Sequence, residues 1–273
     1  MNRTRGAALL LVMWLVLLLS TLVAGYAMAA RIESLQGNGV ARGLVAREAA
    51  RAGIDYAASR MLANDPAQRW AADGRGYRFD FDGVQVLVEV RDEGAKVDLN
   101  QASADLLAGL FEALGEPQDS AIRLAGAVID WRDPDSLLQV SGGAEDGDYQ
   151  AAGLAWGAKD AAFDTVAELE QVLGMRPDVF TAAAPHLTVH GGRAMPDVRF
   201  ADDIVLAAMG IEARPEVLDP DAPPPPGSGT YSIDSRARLR EGRSAHLSVV
   251  LRMGGNGLPG STYTPLRWQA GSQ

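Results

Sequence analysis

The hydrophobic pattern of the chain changes period three times. From Ala7 to Ala30 there are 24 residues with no charge, mostly Leu, Val, Ala, Met and Trp. As a helix this stretch covers roughly 36 Å at 1.5 Å per residue, and a bilayer core needs about 20 apolar residues. Backbone groups inside hydrocarbon must bond to one another, which dictates a helix. Arg3 and Arg5 precede it, so the positive-inside rule leaves the N-terminus in the cytoplasm and the bulk outside. No later segment is long and apolar enough to span again. Beyond Arg31 the period becomes helical: Leu35, Val40, Leu44, Val45, Ile54, Ala57 and Ala58 recur, with Arg42, Arg47, Glu48 and Arg51 between them. Gly37, Gly39 and Gly43 soften the middle. The helix is expected to end near Asn64, before Pro66, with its second half lying on a sheet.

The period then falls to two. Tyr77, Phe79 and Phe81 alternate with polar residues, Asp82-Gly83 forms a turn, and Val84, Val86, Val88 and Val90 alternate again. A D-G pair between alternating runs is a strong hairpin signal. From Lys96 to about Val189 the pattern is helical once more. Asn100-Gln101-Ala102-Ser103 caps a helix carrying Leu106, Leu107, Leu110 and Phe111. A second helix is expected over Asp119–Trp131, followed by an Asp- and Gly-rich loop from Asp133 to Gly157. Thr165 caps a helix to Leu173, closed by Gly174. Pro177 opens another to Ala184, and residues 202–209 suit a short one. Ala222–Gly229 reads APPPPGSG, a stiff and then flexible linker. Tyr231–Leu239 and His246–Met253 read as strands. Thr262–Trp268 reads as a third, confined to an edge by Pro265.

Composition narrows the chemistry. The chain has 273 residues, a net charge of −10 and no Cys, so disulfide and thiolate chemistry are excluded. The acidic balance opposes a nucleic-acid role, which rests on Lys and Arg. It suits Ca²⁺, which takes clustered carboxylates. The densest such cluster is Asp130, Asp133, Asp135, Glu145, Asp146 and Asp148. A solvated acidic loop is the competing reading, and EF-hand spacing is absent. His186, His190 and His246 fall in no zinc motif, and Ser141-Gly142-Gly143 is not a nucleophile elbow. Trp131, Trp156 and Trp268 read as core or interface anchors. For the first segment three readings stand: a signal peptide cut at Ala27-Met28-Ala29, a plain anchor, and a pilin-like leader ending at Gly6.

In order along the chain, several segments resemble one family: RGAALLLVMWLVLLL, AREAARAGIDYAASRML, VDLNQASADLLAGLFEALG, AIRLAGAVIDWRDPDSL, GAEDGDY, FDTVAELEQVLGM and AAPHLTV. Together they resemble the minor pseudopilin K family of the type II (general) secretion pathway. The resemblance implies cleavage after Gly6 by a prepilin peptidase, with Ala7 becoming the first, N-methylated residue. It implies a Glu missing from the fifth mature position, where this chain has Leu11. Elsewhere in the pilin class that Glu pairs with a neighbour's N-terminus, and a subunit with no neighbour above needs no such costly buried acid. The resemblance also implies Ca²⁺ as a structural ion, with Asp133, Asp135, Glu145, Asp146 and Asp148 as ligands. As partners it implies the I and J minor pseudopilins, the major pseudopilin and the inner membrane.

The expected fold class is α+β: a pilin-like long N-terminal helix packed on an antiparallel sheet, with a large all-α insertion, SAM-like or helix-hairpin-helix-like. The expected organisation is a leader (1–6), a transmembrane helix (7–30) and a pilin-like helix and hairpin (31–95). A helical insertion (96–212), a Pro-rich linker (213–229) and strands that complete the sheet (230–273) follow. The expected function is that of a non-enzymatic tip subunit that primes assembly and caps the fibre. It is anchored in the inner membrane with its bulk in the periplasm. The alternative is a membrane-anchored helix-hairpin-helix protein that binds DNA, but LFEALGEPQDS lacks a G-x-G hairpin and only Arg123 lies close by.

Overall fold

The computed structural model describes residues 4–139, 142–212, 225–255 and 262–271. Residues 1–3 of the expected leader, Ser141 and most of the expected linker (213–224) lie outside the described residues, as does the side chain of Leu35. One helix, α1, runs unbroken from Thr4 to Met61. It joins the apolar stretch to a docked C-terminal half. Within it Leu9–Arg31 is long and apolar enough to cross a membrane, and none of that stretch is buried.

The sheet has five antiparallel strands in the order β1-β2-β5-β6-β7. These are β1 (Asp73–Phe81), β2 (Val84–Asp92), β5 (Thr230–Arg238), β6 (Ser244–Met253) and β7 (Tyr263–Ala270), with the short β3 (Val97–Asp98) and β4 (Leu187–Thr188) forming a separate pair. The β1–β2 turn places Asp82 at φ 51 and Gly83 at φ 78. That is the left-handed pair a two-residue hairpin requires, and Asp and Gly tolerate it. In β2 the face carrying Val84, Val86, Val88 and Val90 is buried, whereas Gln85 and Arg91 are exposed. This alternation turns one face to the core and one to solvent. Strand β7 is an edge strand, and Pro265 sits at a register shift opposite β6, where a missing N–H is tolerated.

Helix α1 docks on the buried face through small residues. Ala46, Ala49, Ala50, Ile54 and Ala57 are 2% exposed or less and pack on Val86, Val88, Ile233, Val249 and Leu251. Val40, Leu44 and Val45, expected in the same stripe, are exposed. The chain here uses close approach rather than bulk: a Cβ on Gly53 would strike Ser235 Oγ and lie 2.9 Å from Val86 Cγ1.

Between β2 and β5 the chain leaves the sheet to build a second core. Its helices are α2 (Ala104–Ala113), α3 (Gln118–Arg132), α4 (Asp146–Ala151), α5 (Pro177–Ala183) and α6 (Asp203–Ala208). Ser103 caps α2 by accepting from Leu106 N at 3.3 Å. Leu107, Leu110, Phe111, Val128, Tyr149 and Leu169 are fully buried here. Two elements differ from expectation. Residues Val166–Gln171 form a 3₁₀ turn rather than an α-helix, although Thr165 and Glu168 still close a capping box. The expected loop after Asp133 contains α4. The parallel pair β3–β4 is too short for any period to reveal.

A buried ionic network joins the two cores. Lys96 Nζ donates to Glu93 Oε1 at 2.5 Å and to Ser232 Oγ at 3.1 Å, and Thr188 Oγ1 donates to Glu93 Oε2. Glu93 is 2% exposed. Burial works against its charge, but Lys96, Thr188 and Ser232 outweigh that and hold its carboxyl below the usual range.

Candidate functional site

The acidic cluster forms where α3 ends and α4 begins. Helix α3 stops at Arg132, with Asp133 leaving the helix at φ −86, ψ 151. Glu145 is the N-cap of α4. One carboxylate oxygen from each of Asp133, Asp135 and Glu145 lies within 4.8 Å of the others. These three of the five expected ligands converge. The other two serve α4 instead. Asp148 Oδ2 accepts from Glu145 N at 3.0 Å, completing a capping box. Asp146 Oδ1 accepts from Ala158 N at 3.2 Å, tying down the following loop.

Asp130, one turn back on α3, is fully buried, and its Oδ2 accepts from Ala144 N at 2.8 Å. Gly143 makes this possible, because a Cβ there would collide with the Asp130 carboxylate. The loop is held from below by Tyr149 of α4. Its hydroxyl accepts from Leu173 N at 3.0 Å, and burial pushes its pKa up to about 12.

The electrostatics of the site are unbalanced. Asp130 Oδ1, Asp133 Oδ1 and Glu145 Oε1 are buried oxygens without a hydrogen-bond partner. Burial, reinforced by neighbouring carboxylates, raises the pKa of all three groups. Asp133 acts on Asp130, Asp135 on Asp133, and Asp130 on Glu145. Asp160 adds to the field at Asp133 and Glu145, a contribution that sequence spacing does not signal. Arg132 is adjacent in sequence, yet its guanidinium turns away to donate to the carbonyls of Leu99 and Ala102. Among the described residues, no Lys or Arg forms an ion pair with Asp133, Asp135 or Glu145. Orphaned hard oxygens that no Lys or Arg pairs directly, although the Arg132 charge acts on Asp133 from a distance, are the donor set that suits an oxygen-seeking divalent cation.

The other marked positions are dispersed. Gly6, Ala7 and Leu11 all lie on α1, and Leu11 is 69% exposed. Trp131 is buried beside the cluster, whereas Trp156 and Trp268 are largely exposed. His186 Nδ1 lies 2.7 Å from Asp202 Oδ2 at the start of α6, and His246 Nε2 lies 2.9 Å from Asp234 Oδ1.

The chain is similar to known proteins in sequence and fold. Residues 84–192 match the model of the family described as type II secretion system (T2SS), protein K. The type II secretion system protein K of Pectobacterium carotovorum is 25% identical over 215 residues, covering 68% of this chain and 63% of the relative. The protein of the same name from Klebsiella pneumoniae is 26% identical over 211 residues, with the same coverage. The chain thus spans about 63% of the length of these curated relatives. In fold it is similar to a chain in the crystal structure of the GspK-GspI-GspJ complex from enterotoxigenic Escherichia coli. The TM-score is 0.62 at 18% identity, over 89% of this chain and 100% of that one. Over residues 84–192, and in its sheet-and-helix architecture, the chain is thus similar to the type II secretion system protein K family.

Proposed function

We propose that this chain is the minor pseudopilin that sits at the tip of the secretion pseudopilus, primes its assembly and caps it. The observation that carries the reading is the placement of the helical body. Gln85 pairs with Arg238 at the end of the sheet nearest the apolar half of α1, and Asp92 pairs with Tyr231 at the far end. The chain leaves β2 and returns to β5 at that far end, so the helical body stands above the sheet, away from the membrane segment. Such a body obstructs the addition of a further subunit above it. Leu11 supports the same placement, because a terminal subunit needs no acid for an upper neighbour. By analogy with the solved complex, its partners are the I and J pseudopilins, with the major pseudopilin below them.

The proposal includes Ca²⁺ at Asp133, Asp135 and Glu145, with Asp130 close behind. The ion would neutralise the clustered charge and fix the loop that joins α3 to α4. It also includes removal of residues 1–6 by a prepilin peptidase, anchoring in the inner membrane and a periplasmic bulk. Mass spectrometry of the mature N-terminus tests the assignment. It should find N-methylated Ala7, and an N-terminus at Ala30 would sink the pseudopilin reading.

A further inference from the structure

Charge is unevenly spread over this acidic chain. The net value is −10, yet the end of the sheet nearest the apolar half of α1 is rich in arginine. The tip joining β5 to β6 carries Arg238, Arg240 and Arg243, all exposed, and none is paired with a carboxylate among the described residues. The single acid of this tip, Glu241, is taken by Arg42 of α1 at 3.1 Å. At the neighbouring β1–β2 turn, Asp80 accepts from Gly83 N at 2.8 Å, leaving Asp82 as the other carboxylate there. On the sheet face turned away from α1, Arg78, Asp80, Gln85, Arg236, Arg238 and Ser244 line an open depression of about 820 Å³, with Arg236 held by Glu89 at 3.3 Å.

The rim is set against the membrane by the helix itself. The apolar stretch ends at Arg31. The guanidinium of Arg243 packs beside Gly39, where an added Cβ would lie 3.1 Å from it. Eight residues of helix put that level about 12 Å beyond the hydrocarbon edge. Headgroups occupy about 6 Å of that distance, so the arginine tips lie within about one Debye length of the phosphates at physiological salt. A typical tilt of α1, about 20°, brings one side of the rim closer still.

We propose that this arginine rim binds the anionic phospholipid headgroups of the bilayer that α1 spans, holding the domain down beside its own anchor until it enters the fibre. The proposal rests on the reading of α1 as a membrane anchor. Guanidinium groups suit the ligand, because they offer forked donors to phosphate oxygens and hydrate weakly.

The chain has no Cys, so Ser244→Cys in the full-length protein gives a unique site for a fluorophore. The labelled protein is inserted into vesicles of phosphatidylcholine alone, or of phosphatidylcholine and phosphatidylglycerol in equal parts, with a headgroup-attached quencher. Quenching should be several-fold stronger in the phosphatidylglycerol vesicles. It should fall to the phosphatidylcholine level at about 1 M salt, where the Debye length is about 3 Å. It should fall equally in R238Q/R240Q/R243Q, whose substituted side chains are exposed and leave the core intact. Equal quenching in both lipids, or quenching that survives the triple substitution, overturns the proposal. So does a triple variant that keeps its lipid response but loses co-assembly with partner pseudopilins, which would give the rim to an acidic protein instead. A full-length chain washed off vesicles by alkaline carbonate refutes the anchor itself, and with it both readings.

Discussion

At the residue scale, the acidic cluster and Glu93 have pKa values shifted in opposite directions. Asp130, Asp133 and Glu145 are held above their ordinary pKa by burial and by one another. In the metal-free protein the folded state therefore retains protons that the unfolded state releases. Its stability should rise as pH falls from neutral through these raised values, with the penalty gone near the ordinary carboxylate range of about 4. Calcium should reverse the slope: at about 100 times its Kd it adds ~2.7 kcal/mol at neutral pH, and that gain should fade over the same window as protons displace it. Melting curves with calcium and with chelator, at neutral and mildly acidic pH, check both signs, and a midpoint indifferent to chelator rejects the ion. Asp133→Asn should abolish the calcium response while leaving the metal-free midpoint no lower, because the repulsion it removes is larger than anything it breaks. Glu93 is the contrary case. Lys96 and its hydroxyl neighbours hold its folded pKa below the ordinary value, so its contribution is complete above that value and is lost as pH falls through the lowered one. Lys96→Met leaves Glu93 buried without a counter-charge and should cost about 3 kcal/mol in denaturant unfolding at neutral pH.

At the scale of elements, the docking of α1 decides whether a membrane helix and a sheet become one body. Ala46, Ala49, Ala50, Gly53 and Ala57 form a flat stripe that lets the helix backbone approach β2, β5 and β6. Gly53→Val should cost about 2 kcal/mol, because overpacking against Ser235 and Val86 outweighs the modest gain in helix propensity of Val over Gly. Chemical denaturation followed by far-UV circular dichroism measures it, and a neutral effect would show that α1 slides freely on the sheet. The stripe also explains what the sequence could reveal. Period two marks β1 and β2, and the D-G turn marks their hairpin, since alternation follows from one buried face. Period 3.6 and polar caps announced α2 and α3 to within a residue or two. The docking face of α1 was misjudged because hydrophobicity pointed to Val40, Leu44 and Val45, whereas close approach selected Ala and Gly. Helix α4 is hidden because its six residues, DGDYQA, are mostly polar, and what holds them is the burial of Tyr149 and the Glu145–Asp148 capping box. The same polarity blurred the cluster. Spacing offers six acids of equal standing, but Asp130 is buried against Ala144, the α4 capping box claims Asp148 and the loop beyond claims Asp146. Asp160 enters the site through tertiary folding alone, and no local pattern marks it.

At the scale of the molecule, the chain has two cores linked by a buried ionic network. The helix-and-sheet core gathers Ile54, Val88, Ile233 and Leu251, and the helical core gathers Leu107, Phe111, Tyr149 and Leu169, with no buried apolar residue shared between them. Each therefore has its own reason to unfold cooperatively. The group of Glu93, Lys96, Thr188 and Ser232 links them through polar contacts rather than through a shared apolar core. Calorimetry should accordingly resolve two transitions, and calcium should raise only the one that belongs to the helical core, where Asp133, Asp135 and Glu145 lie. Lys96→Met should move the two transitions further apart. The topology offers a stricter form of the same test. Asp92 and Tyr231 are antiparallel partners, so a short turn can join β2 directly to β5 and remove the helical body without disturbing the sheet. That shortened chain should melt in one calcium-insensitive transition near the midpoint of the sheet core in the full protein. If the helical body is what terminates the fibre, the shortened chain should also yield longer pseudopili than the full chain does. One cooperative transition in the full protein, shifted as a whole by calcium, would mean that the helical body and the helix-and-sheet core are a single folding unit. The ion would then govern the stability of the whole chain rather than of its helical body.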